Sequence, residues 1–305
     1  MNFPFRKPNL RLLAAAGLLL SSCVLALAQA PQASAGPKKC LLWKAVSGSN
    51  VVYLLGSIHL ASKAVYPLPK VITDGFERSK VLVVEVDINK VDMSTAAQYL
   101  DSGRYPEGDT LWNHLNPATT AKVKKFIADQ GIPEEVVAHL KPWLAGVMVP
   151  MIPMLKAGAM NDLGIDKHFL DLAEGKKKIE QVETADFQFK LLSSVPDNLA
   201  DIYVSWCVGE VSKEKEEDLK LEKLWLSGDA SALDAVMSVH PKELDPLMRS
   251  LVQDRNPHMA DVAEKYLKGG GPCFFVVGAG HLVGKEGVVA ILQKRGYTVT
   301  QMSAQ

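Results

Sequence analysis

Two histidines follow the same short pattern near the two ends of the chain. The first is Gly-Ser-Ile-His ending at His59, and the second is Gly-Ala-Gly-His ending at His281. Each pattern closes an apolar, strand-like run. Glycine permits a sharp turn at a strand end, and histidine is the commonest metal-binding side chain and titrates near neutral pH. The repeated pattern therefore predicts that two imidazoles are brought to one site.

A carboxylate interrupts the most apolar strand-like run, VLVVEVD over residues 81–87. Strand alternation predicts that Glu85 and Asp87 lie on one face. Because burying an unpaired charge is costly, Glu85 needs a partner. In a structural role, the partner would be a basic side chain or backbone N–H donors. In a functional role, it would be a metal ion beside His59.

Two histidines and one carboxylate could form an open site for a divalent metal ion. The ligands would be His59, Glu85 and His281, with Asp87 as an outer residue or proton acceptor. A bound metal ion lowers the pKa of its water toward ~7 and polarises carbonyl groups, so hydrolysis is the natural chemistry. The sequence has neither the HExxH pattern of helix-borne zinc sites nor the GxSxG pattern of serine hydrolases.

Arg255 is the third candidate, just before an Asn-Pro pair that is typical of a helix start, with Asn256 as the N-cap. Its planar guanidinium could stabilise an oxyanion during catalysis, or it could form an ordinary salt bridge. Asp166 and Glu183 are expected to have structural roles, as a helix cap and at the end of a short strand.

The elements that must position these residues form two copies of one unit. In each copy a strand leads to the Gly-x-x-His turn, then to a helix and a second strand. These elements span 51–55, 68–78 and 81–87 in the first copy and 274–277, 286–295 and 297–301 in the second. A β–GxxH–α–β unit requires parallel strands, and ligands of open α/β sheets gather at the carboxyl ends of strands. We therefore expect an α/β fold with a mixed central sheet flanked by helices.

The middle of the chain predicts a large helical insertion, about residues 110–250. The expected helices span 121–130, 133–144, 166–174, 185–194, 197–207 and 213–226. Residues 143–155 are unusually apolar and rich in methionine, and they are too short and too broken by proline to span a bilayer. They predict a buried helix pair, with a mobile lid over the site as the alternative.

The N-terminus predicts export. A basic stretch, an apolar run and small residues form a cleavable signal peptide over 1–28. A flexible leader over 29–40 and a single domain over 41–305 follow. A lipobox ending at Cys23, which would leave the chain lipid-anchored, is the less favoured alternative. We expect a periplasmic or secreted bacterial protein with no membrane span after cleavage.

Composition and cysteine content limit which ligands and which disulfides we expect. Lys and Arg total 34, as do Asp and Glu, so the chain has no net charge that would favour nucleic acid. Export permits disulfides, and the strands that begin at Cys40 and Cys273 could allow these two residues to pair. Free buried thiols are the equal alternative.

The chain resembles the TraB/GumN family, which includes the TIKI-type ectoenzymes, from about Leu41 to Val299. The resemblance is carried by YLLGSIHLA ending at Ala61, VVEVD ending at Asp87, Gly164-Ile165-Asp166, Glu183-Thr184 with Gln188, Arg255-Asn256, and VVGAGHLVG ending at Gly284. For TIKI-type members it implies a divalent-metal-dependent protease with two Gly-x-x-His motifs and an acidic residue in its active site. Those positions are His59, His281 and Glu85 here, and Arg255 matches a recurrent polar position.

The sequence thus predicts an exported metal-dependent hydrolase that acts on peptides or proteins. His59, Glu85 and His281 would hold Mn, Co or Zn, Glu85 or Asp87 would move the proton, and Arg255 would stabilise the oxyanion. The alternative is a non-catalytic periplasmic protein that binds a peptide or haem-like ligand in the apolar region of residues 143–155. Proximity of the two imidazoles to Glu85 would favour the hydrolase.

Overall fold

The structure is a computed structural model that describes residues 39–212 and 220–304. Its centre is a six-stranded sheet with the order β4-β3-β5-β2-β1-β6. The strands are β1 (Lys39–Ser47), β2 (Asn50–Ser57), β3 (Val81–Val84), β4 (Lys178–Gln181), β5 (Cys273–Gly278) and β6 (Thr298–Ser303). The predicted signal peptide, most of the leader and the lipobox cysteine, Cys23, lie outside the described residues.

Parallel and antiparallel pairs are combined in this sheet. β1 pairs antiparallel with β2 and with β6, whereas β5 pairs parallel with both β2 and β3 and β4 pairs parallel with β3. Consequently β2 and β3 run in the same direction, as do β5 and β6, which is the arrangement that a β–GxxH–α–β unit requires. The predicted α/β fold with a mixed central sheet is confirmed.

The helices are α1 (Lys70–Arg78), α2 (Met93–Ser102), α3 (Pro117–Asp129), α4 (Glu135–Ala138), α5 (Pro142–Met148), α6 (Met151–Lys156), α7 (Ile165–Ala173), α8 (Ala185–Ser193), α9 (Asp197–Val211), α10 (Lys220–Ser227), α11 (Ala230–Met237), α12 (Asp245–Leu251), α13 (Asn256–Lys265) and α14 (Val288–Lys294). Within the described parts of the chain, no helix is both long enough and apolar enough to cross a membrane.

Several predicted boundaries were wrong. The single helix expected over 133–144 is two helices, α4 and α5, because Pro142 lacks a backbone N–H and disfavours helical geometry in the residue before it. The strand expected over 81–87 ends at Val84. Part of the helix expected over 213–226 falls at 213–219, outside the described residues.

Two apolar cores hold the molecule together. One surrounds the sheet, and every residue of β5 is buried, as expected for a parallel strand covered on both faces. The other lies among the helices and includes α5, which packs against α9. Residues 143–155 form the buried helix pair α5 and α6, as predicted. The expected helical insertion also contributes β4, which joins the sheet.

The glycines of the two Gly-x-x-His patterns do not serve as sharp turns, contrary to expectation. Neither Gly56 nor Gly278 has a positive φ. Instead, a Cβ atom on Gly56 would lie 3.0 Å from both the Cα and the Cβ of Ala279. The absence of a side chain at Gly56 therefore allows the first motif to pack directly against the second.

All three described cysteines, Cys40, Cys207 and Cys273, are buried free thiols. Cys273 lies beside Val52, whose partner on β1 is Ala45. Cys40 is therefore displaced from Cys273 by about 16 Å along the strand direction. This distance explains why the possible Cys40–Cys273 disulfide is not formed. Burial raises the pKa of Cys40 to about 11.

Replacement of Gly56 by alanine should destabilise the protein by ~1–3 kcal/mol, because the new methyl group would press on the backbone of Ala279. Urea unfolding measures the change. The control is Gly209→Ala in α9, where the nearest atoms belong to the flexible end of Lys122 and alanine favours the helix by up to ~1 kcal/mol. Equal stability of the two variants would contradict the packing argument.

Candidate active site

The predicted residues meet at the carboxyl-end edge of three neighbouring strands. His59 follows β2, Glu85 follows β3 and His281 follows β5, and these strands are adjacent in the order β3-β5-β2. The register places Ser57 beside Gly278, so both histidine motifs leave the sheet at the same level. All three residues are buried: His59 is 4% exposed, and Glu85 and His281 are 0% exposed.

His281 is held through one ring nitrogen. Its Nδ1 lies 2.7 Å from Oδ1 of Asn256, whose Nδ2 donates to the backbone oxygen of Glu286. Since Oδ1 can only accept, Nδ1 carries the proton and Nε2 presents a lone pair. That Nε2 is buried without a hydrogen-bond partner among the described residues, 3.9 Å from Oε1 of Glu85. Burial, aided by the Arg255 charge, lowers the pKa of His281 to about 3, so the ring is neutral.

His59 is held in the same way, but by a charged partner. Its Nδ1 lies 2.6 Å from Oδ2 of Asp166, and Ser57 donates its hydroxyl to the other carboxylate oxygen at 2.8 Å. Burial alone would lower the pKa of His59, but the Asp166 carboxylate outweighs it and the pKa is raised. The two matched histidines therefore differ, because the pKa of His59 is raised whereas that of His281 is lowered.

Asp166 reaches His59 because α7 begins directly against the first histidine motif. The backbone N–H of Ile165 donates to the carbonyl of Ile58 at 3.0 Å. Gly164 precedes the helix, and a Cβ atom there would collide with the carbonyl oxygen of His59. Glycine at this position therefore lets the helix approach closely enough for Asp166 to bind the imidazole.

Glu85 has several donors on its two oxygens. Oε1 accepts from Nη2 of Arg255 and, at 2.7 Å, from the amide of Gln188. Oε2 accepts from the backbone N–H of Gly278 at 3.0 Å. Burial would raise the pKa of Glu85, but the Arg255 charge and the nearby histidines lower it to about 2. The partners expected for a buried carboxylate are thus present, and Glu85 is ionised at neutral pH.

Arg255 connects two carboxylates. Its Nε and Nη2 donate to Glu183 at 2.8 and 2.5 Å, Nη2 also donates to Glu85, and Nη1 donates to the carbonyl of Leu251 at 2.6 Å. Arg255 is only 4% exposed. The salt bridge left open by the sequence is therefore present, and it has two acidic partners.

Asp87 is placed differently from the expectation. Because β3 ends at Val84, strand alternation does not extend to Asp87, and this residue instead precedes the turn Ile88–Lys90. Its carboxylate pairs with Lys90 at 2.9 Å, and its backbone N–H donates to the side chain of Gln181. Oδ1 of Asp87 is buried without a partner in the described part of the chain.

Sequence reasoning missed the residues that hold the site. Asp166, Glu183 and Asn256 were expected to be structural, and Gln188 entered only through the family resemblance. The N-cap role predicted for Asn256 was wrong, since helix α13 begins at Asn256 itself and its side chain binds His281. Asp166 lies 107 positions from its partner His59, so no local pattern could pair them.

Nδ1 of both imidazoles is bound by a side-chain oxygen. A histidine whose Nδ1–H is fixed by a carboxylate or amide oxygen typically binds metal through Nε2, and Nε2 of His281 has no hydrogen-bond partner among the described residues, so its donor chemistry fits a divalent metal ion. Within residues 39–212 and 220–304, however, no group of three His, Cys, Asp or Glu residues is arranged to hold a metal ion. The complete set of His59, Glu85 and His281 as ligands stays a prediction.

Comparisons with known proteins point to one family. The model of the TraB/PrgY/gumN family matches residues 41–301. The chain is also similar to proteins named "Uncharacterized protein YbaP" from Escherichia coli (strain K12) and Shigella flexneri, at 23% identity over 173 residues. These matches cover 54% of this chain and 63% of each relative, less than two thirds of the relatives' length. No solved structure matches.

The depressed pKa of Glu85 predicts how stability depends on pH. Because its folded pKa is about 2 and its ordinary value is 4.5, its stabilisation is present above pH 4.5 and is lost as the pH falls toward 2. The difference in unfolding free energy between wild type and Glu85→Gln should therefore shrink over that interval. Urea unfolding at several pH values measures it, with the exposed Glu174→Gln as control. A difference that stays constant across this interval would show that Glu85 is not held ionised.

Proposed function

This chain belongs to the TraB/PrgY/gumN family, and we propose that it is an exported, divalent-metal-dependent hydrolase that cleaves peptides. One observation carries the proposal. Two buried imidazoles follow adjacent strands, and Nδ1 of each is bound by a polar side chain. Nε2 of His281, which has no hydrogen-bond partner in the described part of the chain, lies 3.9 Å from Oε1 of Glu85. The short distance between His281 and Glu85 supports the hydrolase; the proximity of His59 to Glu85 stays a prediction.

His59 and His281 would hold the ion through Nε2, with the Glu85 carboxylate beside them. Imidazole and carboxylate donors suit Mn, Co and Zn. When bound, such an ion lowers the pKa of a coordinated water toward ~7 and polarises the scissile carbonyl.

The surrounding residues orient the two imidazoles. Ser57 fixes Asp166, which in turn fixes His59, while Glu286 fixes Asn256 through its backbone oxygen and thereby fixes His281. Partners of this kind set the tautomer of a ligand histidine and raise its basicity. The sequence thus provides a separate support for each imidazole.

Glu85 supplies negative charge to the site. With a pKa of about 2 it remains a carboxylate at neutral pH, which makes it a poor carrier of protons. Arg255 acts through Glu85 in this proposal, because its N–H groups bind Glu85, Glu183 and the carbonyl of Leu251. The oxyanion role of Arg255 and the proton-acceptor role of Asp87 stay predictions.

The non-catalytic alternative placed its ligand pocket among residues 143–155. The structure uses this region as core: Trp143, Leu144 and Met151 are buried in the helical cluster. No observation favours that alternative over the hydrolase.

Metal content and peptide cleavage test the proposal. Wild-type protein should bind a divalent ion, measured by mass spectrometry of the protein reconstituted with Mn²⁺, Co²⁺ or Zn²⁺, and should cleave a peptide library. His59→Ala and His281→Ala should lose both properties. Asn256→Ala should weaken metal affinity by ~10–100-fold, since it removes the support of His281.

The exposed His258 supplies the control, and His258→Ala should retain metal and cleavage. Failure of wild type to bind any of the three ions, or cleavage that persists in both histidine variants, would refute the proposed function.

A further inference from the structure

A cavity of about 320 Å³ lies immediately beside the candidate active site. Two of its lining residues belong to the frame of that site: Asn256 binds His281, and Gly280 directly precedes His281 in the motif. Small-molecule pockets in proteins measure ~300–1,000 Å³, so this cavity can take one side chain or one end of a short peptide. A group bound here would lie next to the reacting centre.

Two buried acceptor atoms in the cavity wall lack hydrogen-bond partners. Oε1 of Gln253 and Nδ1 of His240 are both unpartnered among the described residues. Nε2 of His240 lies 3.0 Å from the Asp245 carboxylate and therefore carries the ring proton. This leaves a lone pair on Nδ1. A buried acceptor without a donor is unfavourable, so both atoms favour a ligand that supplies N–H groups.

One carboxylate in the cavity wall, that of Asp234, is available to a cationic ligand. Asp234 lines the wall, half-buried against Gly284, and no residue in the described part of the chain forms an ion pair with its carboxylate. The other acidic lining residue, Glu286, is already paired with Arg249 at 3.1 Å. Lys285 is the cationic lining residue, and it lies at the exposed rim.

We propose that this cavity is a subsite for the cationic, donor-rich group of the substrate, a primary ammonium or a guanidinium. Asp234 would supply the opposite charge, and Gln253 and His240 would accept N–H hydrogen bonds. Such groups occur at the amino end and on the basic side chains of peptides. The assignment to a substrate rests on the proposed function, whereas the binding of a cation does not depend on it.

Calorimetric titration of the full-length protein tests the subsite with four probes that share one alkyl tail: n-butylammonium, n-butylguanidinium, n-butyrate and n-butanol. The two cations should bind more tightly than the anion and the alcohol. Tighter binding of butylguanidinium would identify an arginine-like side chain, and tighter binding of butylammonium would identify an amine.

Two variants localise the binding. Asp234→Asn, which preserves shape, and Gln253→Leu should each weaken cation binding by ~10-fold or more, the loss expected for a hydrogen bond to a charged group. Asp129→Asn, which changes an exposed residue of α3, should leave the affinity for the cations unaltered. Unfolding curves of each variant confirm that it is folded.

Three results would overturn the subsite: no binding of either cation, tighter binding of n-butyrate or n-butanol, or full affinity in both folded variants. Cation binding is also measured in His281→Ala. Binding that persists there establishes the subsite even if no peptide is cleaved by the wild type, whereas cleavage without cation binding would retain the hydrolase and refute the subsite.

Discussion

The buried ion pair between Arg255 and Glu85 is the interaction on which the arrangement of the site depends. It connects the end of β3 with the residue before α13, and Glu183 joins the same guanidinium from the segment after β4. Removing either partner of a buried pair leaves an uncompensated charge, which typically costs ~3–5 kcal/mol. The pair therefore fixes three distant segments of chain relative to one another. The backbone N–H of Gly278 also donates to Glu85 and so connects the end of β5 to the same network.

The two histidine motifs show how a similar geometry can give different chemistry. In both, Nδ1 is bound by a side-chain oxygen from a helix that begins beside the sheet. Asp166 is charged and raises the pKa of His59, whereas Asn256 is neutral and leaves burial and Arg255 to lower the pKa of His281. The motif alone therefore does not determine the protonation state, which is set by residues far away in sequence.

Local sequence was sufficient for the strands that present the site. Apolar runs, each closed by a Gly-x-x-His pattern, located His59 and His281, and an acid inside another apolar run located Glu85. The supporting residues could not be predicted, because Asp166 and Asn256 resemble ordinary residues at helix starts. Their role appears only when the sheet brings the helices together.

The packing constraint at Gly56 could not be predicted from the neighbouring sequence either. A glycine at a strand end is usually explained by the conformational freedom of its backbone. Here Gly56 has no positive φ, and the constraint is its distance to Ala279, which directly follows the neighbouring strand β5. The predicted helix boundaries were also wrong where the sequence was read only locally. A proline such as Pro142 is tolerated at a helix start but not within one, so composition alone could not show where one helix ended and the next began.

The charges of the site give a physical reason for a cation in it. Glu85 is ionised, and it shares the guanidinium of Arg255 with Glu183, so one cation faces two acidic side chains. The carboxylate of Asp166, which raises the pKa of His59, is a third acidic group beside the imidazoles. Because burial makes uncompensated charge unfavourable, this excess of acidic groups among the described residues is consistent with the cation of the proposed function. A histidine must be unprotonated at the atom that binds a metal ion, so the raised pKa of His59 predicts that the affinity for the ion increases with pH.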